Sequence, residues 1–125
     1  MRVLLDTQIF TLMSGASDGV LPAKVLKLLA DPETERILSV ASIMEMAIKS
    51  AKLNIAEEQV QEAAKDLALT IIPFTPQHSY RLFSLPKLHR DPFDRMIIST
   101  ALVEGIPVIG GDSRFRKYRG LKVIW

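Results

Sequence analysis

Four acidic residues in this chain stand where predicted strands end or predicted helices begin. They are Asp6, Glu45, Asp94 and Asp112. In an open α/β sheet, ligands bind outside the carboxyl ends of the strands, where such residues would gather. A pocket of carboxylate oxygens suits the hard cations Mg²⁺ or Mn²⁺ better than Zn²⁺. Such cations can activate water for in-line attack on a phosphodiester and stabilise the leaving oxygen.

Two of the four acids have a structural explanation at helix starts. Ser42 and Glu45 fit a capping box, in which the glutamate reaches back to the amide of the capping serine. Asp91 fits an N-cap before Pro92. That cap places Asp94 in the first helical turn, where the helix dipole favours an acid. Taken singly, both Glu45 and Asp94 are explained by helix formation.

The other two acids follow predicted strands. Asp6 comes directly after three apolar strand residues, and a buried carboxylate there needs partners or water; capping of the next helix is an equal alternative. Asp112 could simply open a turn. Four independent caps need not share one end of a sheet, however, and four clustered carboxylates would repel unless a cation neutralised them. Together they therefore indicate a cation site.

The bulk composition is that of one globular domain, which we expect to span residues 1–125. The 125 residues are 48% hydrophobic and 24% charged, which is enough apolar material for a real core. There is no cysteine, which excludes disulfides and thiolate metal sites and fits a reducing compartment. The apolar start of the chain is too short for a signal peptide or membrane span. We therefore expect a cytoplasmic protein with no membrane partner.

The alternation of predicted elements indicates an α/β fold. Strands are predicted at residues 2–5, 36–41, 70–74, 107–109 and 121–124. Helices are predicted at residues 8–13, 22–30, 42–52, 56–69, 76–84 and 92–104. This order implies a mostly parallel sheet of about five strands with helices on both faces. Asp6 and Asp112 would then lie at carboxyl ends of strands, with Glu45 and Asp94 in first helical turns at the same end.

Four segments in this order resemble a known family. They read LLDT at residues 4–7, SVASIMEMAIK at 39–49, LHRDPFDRMII at 88–98 and DSRF at 112–115. Together they resemble the PIN domain, specifically the VapC-type toxins of toxin-antitoxin pairs. The segment around Asp91 and Asp94 is the most specific of the four. The resemblance spans nearly the whole chain and implies a single PIN-like domain.

The resemblance implies a metal-dependent endoribonuclease that uses Mg²⁺ or Mn²⁺. The catalytic metal ligands would be the same four acids, with supporting or water-orienting roles for Thr7, Ser42 and Asp91. The implied partners are an RNA substrate, a small antitoxin and a second copy of the chain in a homodimer. The net charge is only +2, but residues 113–125 carry five basic residues and no acid. Candidate RNA contacts are Arg95, Arg114, Arg116 and Lys117, although a solvated surface is the plainer explanation of such a charge run.

The chain departs from the family pattern at two positions, and the first of them, Gly110, gives some support to a rival interpretation. The family often has threonine or serine where Gly110 stands, and the missing hydroxyl could weaken the ordering of a water molecule. Tryptophan is common at the position of Met44, which suggests a packing change. The rival is a PIN-like module that binds RNA or protein without cutting. A phosphatase or receiver domain is disfavoured because Asp6-Thr7-Gln8 lacks the second aspartate of the common phosphatase motif. His89 could touch phosphate, whereas His78 is expected to pack or face solvent.

Overall fold

Five short strands form one sheet in which every neighbouring pair is parallel. The computed structural model describes all residues from 1 to 125. The strands are β1 (Arg2–Leu5), β2 (Glu35–Ser39), β3 (Thr70–Ile72), β4 (Val108–Ile109) and β5 (Val123–Ile124). Their order across the sheet is β3-β2-β1-β4-β5, with β1 in the centre. The predicted α/β class and the parallel sheet are confirmed.

Seven α-helices cover the two faces of the sheet. They are α1 (Thr7–Met13), α2 (Ala23–Ala30), α3 (Val40–Ile48), α4 (Ser50–Leu53), α5 (Glu57–Asp66), α6 (Pro76–Ser84) and α7 (Pro92–Glu104). A 3₁₀ helix follows at Ser113–Lys117. None of these helices is both long and apolar enough to cross a membrane.

The core has two halves because strand side chains alternate between the faces of the sheet. Val3 and Leu5 of β1 belong to the core cluster that includes residues of α1, α2, α3 and α5. Leu4, between them, belongs to the second cluster, which includes residues of α7 and the 3₁₀ helix. The central strand is therefore apolar on both faces, and polar residues begin only where it ends.

The end of β1 is a topological switch point. The chain proceeds from β1 to β2 and β3 on one side, and later to β4 and β5 on the other. Leu5 is paired with Ile109 of β4, and the Asp6 N–H donates to the Ile109 carbonyl at 3.1 Å. Ligand crevices in open α/β sheets form at such points. Asp6 and the chain after β4 are consequently brought side by side.

Several predicted element boundaries are wrong, including the end of β3, which is at Ile72 rather than 74, and the start of β5, which is at Val123 rather than 121. Strand β2 ends at Ser39 rather than 41, because the Ser39 hydroxyl accepts the Ala41 N–H and starts α3 there. The predicted helix 42–52 is two helices, which meet at Lys49. The predicted helix 56–69 ends at Asp66, and Ala68 then adopts a left-handed φ of 51° that a continuing helix does not allow.

Candidate active site

All four predicted acids line one cleft at the carboxyl ends of β1 and β4. The cleft has a volume of about 350 Å³, and all but one of its twelve lining residues are polar or charged. Each acid comes from a different part of the chain: Asp6 follows β1, Glu45 lies on α3, Asp94 opens α7 and Asp112 follows β4. The convergence expected from the sequence is therefore present.

Asp6 is the most deeply buried of the four acids. It is the N-cap of α1, and its Oδ1 accepts the Ile9 N–H at 2.9 Å. Only 4% of the residue is exposed. Burial raises the pKa of Asp6 to about 7, against the lowering effect of the Ile9 amide, and the charges of Asp94 and Glu45 add to the rise. Without a cation, Asp6 is therefore only partly ionised near neutral pH.

Glu45 lies in the second turn of α3, so the prediction of a capping box with Ser42 is wrong. Ser39 is the cap instead, and the Ser42 hydroxyl accepts a hydrogen bond from Thr7 Oγ1 at 3.0 Å. The Oε2 atom of Glu45 accepts from Lys49 Nζ at 2.8 Å. Its Oε1 atom is buried and has no hydrogen-bond partner. A buried carboxylate oxygen left unpaired is costly, and a bound cation would satisfy it.

Asp91 caps α7 as predicted, so the Asp94 side chain takes no part in capping. Asp91 Oδ1 accepts the Phe93 N–H at 2.8 Å and the Asp94 N–H at 3.0 Å. Burial alone would raise the pKa of Asp91, but the Asp94 amide and the Lys49 ammonium outweigh it, and the pKa is lowered. Burial, followed by the charge of Asp91, raises the pKa of Asp94 to about 6. Asp94 therefore carries a charge that its own helix does not satisfy.

Asp112 differs from the other three acids because both of its oxygens are already paired. Its Oδ1 accepts the backbone N–H and Nε–H of Arg114, at 2.9 and 3.0 Å, and its Oδ2 lies 2.8 Å from Arg114 Nη2. The Arg114 side chain holds the pKa of Asp112 well below its usual range. The unsatisfied negative charge of the cleft is thus concentrated on Asp6, Glu45 and Asp94, whereas the donor atoms that all lie within 4.8 Å of one another are those of His89, Asp94 and Asp112.

His89 lies behind two acids of the cleft, a position in which the sequence interpretation did not place it. The ring is buried, and its Nε2 lies 3.0 Å from Asp94 Oδ2 and 2.9 Å from Asp112 Oδ2. Its Nδ1 accepts the Asp91 N–H at 3.1 Å. Because Nδ1 is an acceptor, the ring proton lies on Nε2, which makes His89 a donor that bridges two carboxylates. The spacing of His89 two residues before a helix cap is the sequence signal for this ring-to-amide bond.

Lys49 is the second residue that the sequence interpretation missed. Its Nζ lies 2.8 Å from Glu45 Oε2 and 3.5 Å from Asp91 Oδ2, and it stands 5.6 Å from the centre of the Phe93 ring. The hydrogen bond to Glu45 raises the pKa of Lys49. Its position four residues after Glu45 on one helix is the sequence signal for this ion pair. Lys49 therefore supplies positive charge inside the acidic cleft.

The four candidate RNA contacts are not equivalent. Arg95 donates to the carbonyls of Leu85 and Pro86, at 3.2 and 2.9 Å. Arg114 is paired with Asp112 at the cleft. Arg116 and Lys117 are exposed on the 3₁₀ helix and form no ion pair. Their roles as RNA contacts stay predictions.

Gly110 approaches the site so closely that no side chain fits there. A Cβ at this position would lie 2.7 Å from Asp6 Oδ2 and 2.6 Å from Cε2 of the Phe115 ring. The buried Phe115 ring thus fills the space that a hydroxyl side chain would need. Glycine is what allows the backbone after β4 to pack against the Asp6 carboxylate.

Replacing Asp6 by asparagine should stabilise the metal-free protein at high pH. The unfolded chain ionises Asp6 near its ordinary pKa of 3.8, whereas the folded chain does so near about 7. The free energy of unfolding of the metal-free wild type therefore falls as pH rises between these two pKa values, by on the order of a few kcal/mol. With EDTA present, Asp6→Asn should melt several degrees above wild type at pH 8, with the difference vanishing near pH 4. A variant that melts at or below wild type at pH 8 would contradict this.

Replacing His89 by asparagine should weaken binding of Mn²⁺ by roughly 10- to 100-fold, as loss of a group that orients metal ligands does. Asparagine can accept the Asp91 amide but donates nothing to Asp94 and Asp112. Glutamine reaches further with its amide N–H, so His89→Gln should retain more affinity. Titration calorimetry with Mn²⁺ measures both, and His78→Asn, at another buried histidine, is the matched control. Equal affinities for wild type and His89→Asn would refute the bridging role.

Replacing Gly110 by alanine should displace Asp6 and reduce both stability and affinity for Mn²⁺. Overpacking of this kind typically costs about 1–3 kcal/mol. Gly111→Ala is the control, because a Cβ there would meet only the Trp125 ring, at 2.8 Å. Denaturant unfolding should show a lower free energy of unfolding for both variants. Only Gly110→Ala should also bind Mn²⁺ more weakly. Loss of affinity in both variants would rule out a specific effect on Asp6.

Comparisons with known proteins agree with the fold. The PIN domain family matches residues 3–121. No match was found among curated proteins. Three solved structures with the same fold are VapBC2 from Rickettsia felis bound to a promoter DNA fragment, DNA-bound VapBC from Salmonella typhimurium, and VapBC-1 from nontypeable Haemophilus influenzae.

The similarity to these structures extends over whole chains at low identity. The Rickettsia structure has 19% identity and a TM-score of 0.72, and the alignment covers 100% of this chain and 99% of that chain. The Salmonella structure has 17% identity and a TM-score of 0.70, with 99% and 97% covered. The Haemophilus structure has 21% identity and a TM-score of 0.67, with 99% and 97% covered. The chain belongs to the PIN domain family, whose members are generally nucleases.

Proposed function

We propose that this protein is an endoribonuclease that hydrolyses RNA phosphodiester bonds with Mg²⁺ or Mn²⁺. The observation that carries the proposal is the buried, unpartnered Oε1 of Glu45 in a cleft shared with Asp6 and Asp94. Two buried carboxylates and one half-buried carboxylate with too few partners are unfavourable in a stable fold unless a cation joins them. Membership of the PIN domain family supports the same chemistry.

The acids of the cleft would hold the cation unequally. Asp6, Glu45 and Asp94 would bind it directly, because each keeps an oxygen without a backbone or guanidinium partner. Asp112 would bind it directly or through water, because its oxygens are shared with Arg114 and His89. When bound, the cation would supply an acidified water molecule and polarise the phosphate.

The remaining polar residues of the cleft would position these ligands and the substrate. The Thr7–Ser42 hydrogen bond joins α1 to α3 and holds the helix that presents Glu45. Asp91 holds the first turn of α7 and steers Lys49 towards the cleft. Lys49 is partly exposed and could donate to a phosphate oxygen that enters. Arg114 at the rim would meet the RNA backbone next.

We further propose that the protein acts as the toxin of a cytoplasmic toxin-antitoxin pair. The support is the shared fold with chains of VapBC complexes, one of which is bound to promoter DNA. By that analogy its partners would be a small antitoxin and a second copy of itself.

The second candidate function is a PIN-like module that binds RNA or protein without cutting. Gly110 favours it, since no hydroxyl is available at that position to order water beside Asp6. A pure binder of this kind should show no marked rise in melting temperature when Mg²⁺ or Mn²⁺ is added. The proposed nuclease should show one, by mass action on a site present only in the folded state.

Removing a cleft acid should abolish RNA cleavage. Purified protein with Mg²⁺ or Mn²⁺ should cut structured RNA, and EDTA should stop it. Asp6→Ala and Asp94→Ala should each lose more than about 100-fold in rate, because removing a ligand should cost more than removing a group that only orients one. Asp66→Ala, on the exposed surface of α5, is the matched control. Equal cutting by wild type and both cleft variants would end the catalytic assignment.

A further inference from the structure

A second concave surface lies beside the acid cleft, between α6, the loop after it and the start of α7. It has a volume of about 530 Å³. Four of its seven lining residues are Lys87, His89, Arg90 and Arg95, and the other three are uncharged. We call this surface the basic groove. No acid lines it, in contrast to the cleft on the other side of His89.

The positive charge of the basic groove is uncompensated. Lys87 and Arg90 are exposed and take part in none of the seven ion pairs of the protein. The Arg95 guanidinium is held by three neutral acceptors: the Leu85 carbonyl at 3.2 Å, the Pro86 carbonyl at 2.9 Å and the Tyr118 hydroxyl at 3.4 Å. These bonds fix the orientation of the guanidinium without neutralising it. The groove thus offers a pre-positioned cation, Arg95, together with two exposed cations that have no ion-pair partner.

The basic groove is connected to the acid cleft through the His89 ring. The His89 ring lines the groove, while its Nε2 contacts Asp94 and Asp112 of the cleft. Asp91, the acid next to Arg90 in the chain, contacts Lys49 instead and does not neutralise the groove. A phosphodiester at the cleft would therefore have unpaired cations on the far side of His89.

We infer that the basic groove binds the sugar-phosphate backbone of the RNA next to the bond that is cut. This inference rests on the proposed nuclease function. An acidic cleft repels a polyanion, so the affinity for RNA has to come from cations outside it. Lys87 and Arg90 meet this need, and neither was among the RNA contacts expected from the sequence. Lysine and arginine contacts of this kind follow phosphates and carry little sequence preference.

A charge-reversal experiment can distinguish RNA binding at the basic groove from a general electrostatic attraction between the protein and RNA. The test variant is Lys87→Glu with Arg90→Glu; Arg95 is left intact because it holds residues 85 and 86. The control is Lys24→Glu with Lys27→Glu, an equal change of net charge on α2, which packs against the opposite face of the sheet through Val25 and Leu29. Binding of a fluorescein-labelled single-stranded RNA of mixed sequence is measured by anisotropy with Ca²⁺ in place of Mg²⁺, over a salt series.

The groove variant should bind this RNA at least about tenfold more weakly than wild type, with a salt slope shallower by roughly one to two. The control should stay within about twofold of wild type. Both variants should keep the wild-type rise in melting temperature with Mg²⁺, which shows that they are folded with an intact cleft. Equal RNA affinity of the groove variant and the control would overturn the inference, even if wild type cleaves RNA.

Three further outcomes decide whether the groove inference, the nuclease proposal or both are overturned. Wild-type RNA binding that depends on Lys87 and Arg90 without any cleavage would support the groove and remove the catalytic function. Failure of wild type to bind RNA at all would overturn both. Loss of an acidic protein partner in the groove variant, with RNA affinity retained, would assign the groove to protein and overturn the inference.

Discussion

The site depends on the burial of like-charged carboxylates where β1 and β4 end. Asp6 is the extreme case, since 4% of it is exposed and its pKa is about 7. It cannot move outwards, because its N–H is bonded to Ile109 of the sheet and its Oδ1 caps α1. The apolar strands on both sides anchor these bonds in the core. The fold therefore keeps a carboxylate away from the water that would otherwise solvate it. Because this burial is unfavourable, a cation that binds in the cleft is favoured.

Three side chains that are positively charged or donate a proton partly neutralise the acids of the cleft. Lys49 is bonded to Glu45, His89 bridges Asp94 and Asp112, and Arg114 closes on Asp112. The result is uneven. The pKa of Asp112 is lowered while that of Asp94 is raised to about 6. Unneutralised negative charge is thus left on the side of the cleft formed by β1, α3 and α7. The other side, where Asp112 is paired, faces the basic 3₁₀ helix.

The sequence was a good guide wherever local chemistry decides the structure. Apolar runs that stop at Asp6 and shortly before Asp112 predicted the strand ends correctly, because a buried strand cannot include an unpaired acid. The start of α3 was misplaced because Ser39 and Ser42 can both cap, and an apolar run does not distinguish strand from helix. The position of His89 depends on a partner 23 residues away, a tertiary contact that no local pattern reports. The convergence of the acids could be expected, but their unequal pairing could not.

Structural and catalytic explanations of these acids were weighed as rivals in the sequence, yet the geometry combines them. Asp6 and Asp91 each use Oδ1 to accept the amides of a helix start. That bond fixes the side-chain rotamer and turns Oδ2 away from the helix, towards Gly110 in one case and Lys49 in the other. Glu45, which caps nothing, needs Lys49 to hold its longer side chain. A helix cap at a switch point is therefore a means of presenting a carboxylate oxygen, so evidence for capping does not count against a metal-binding role.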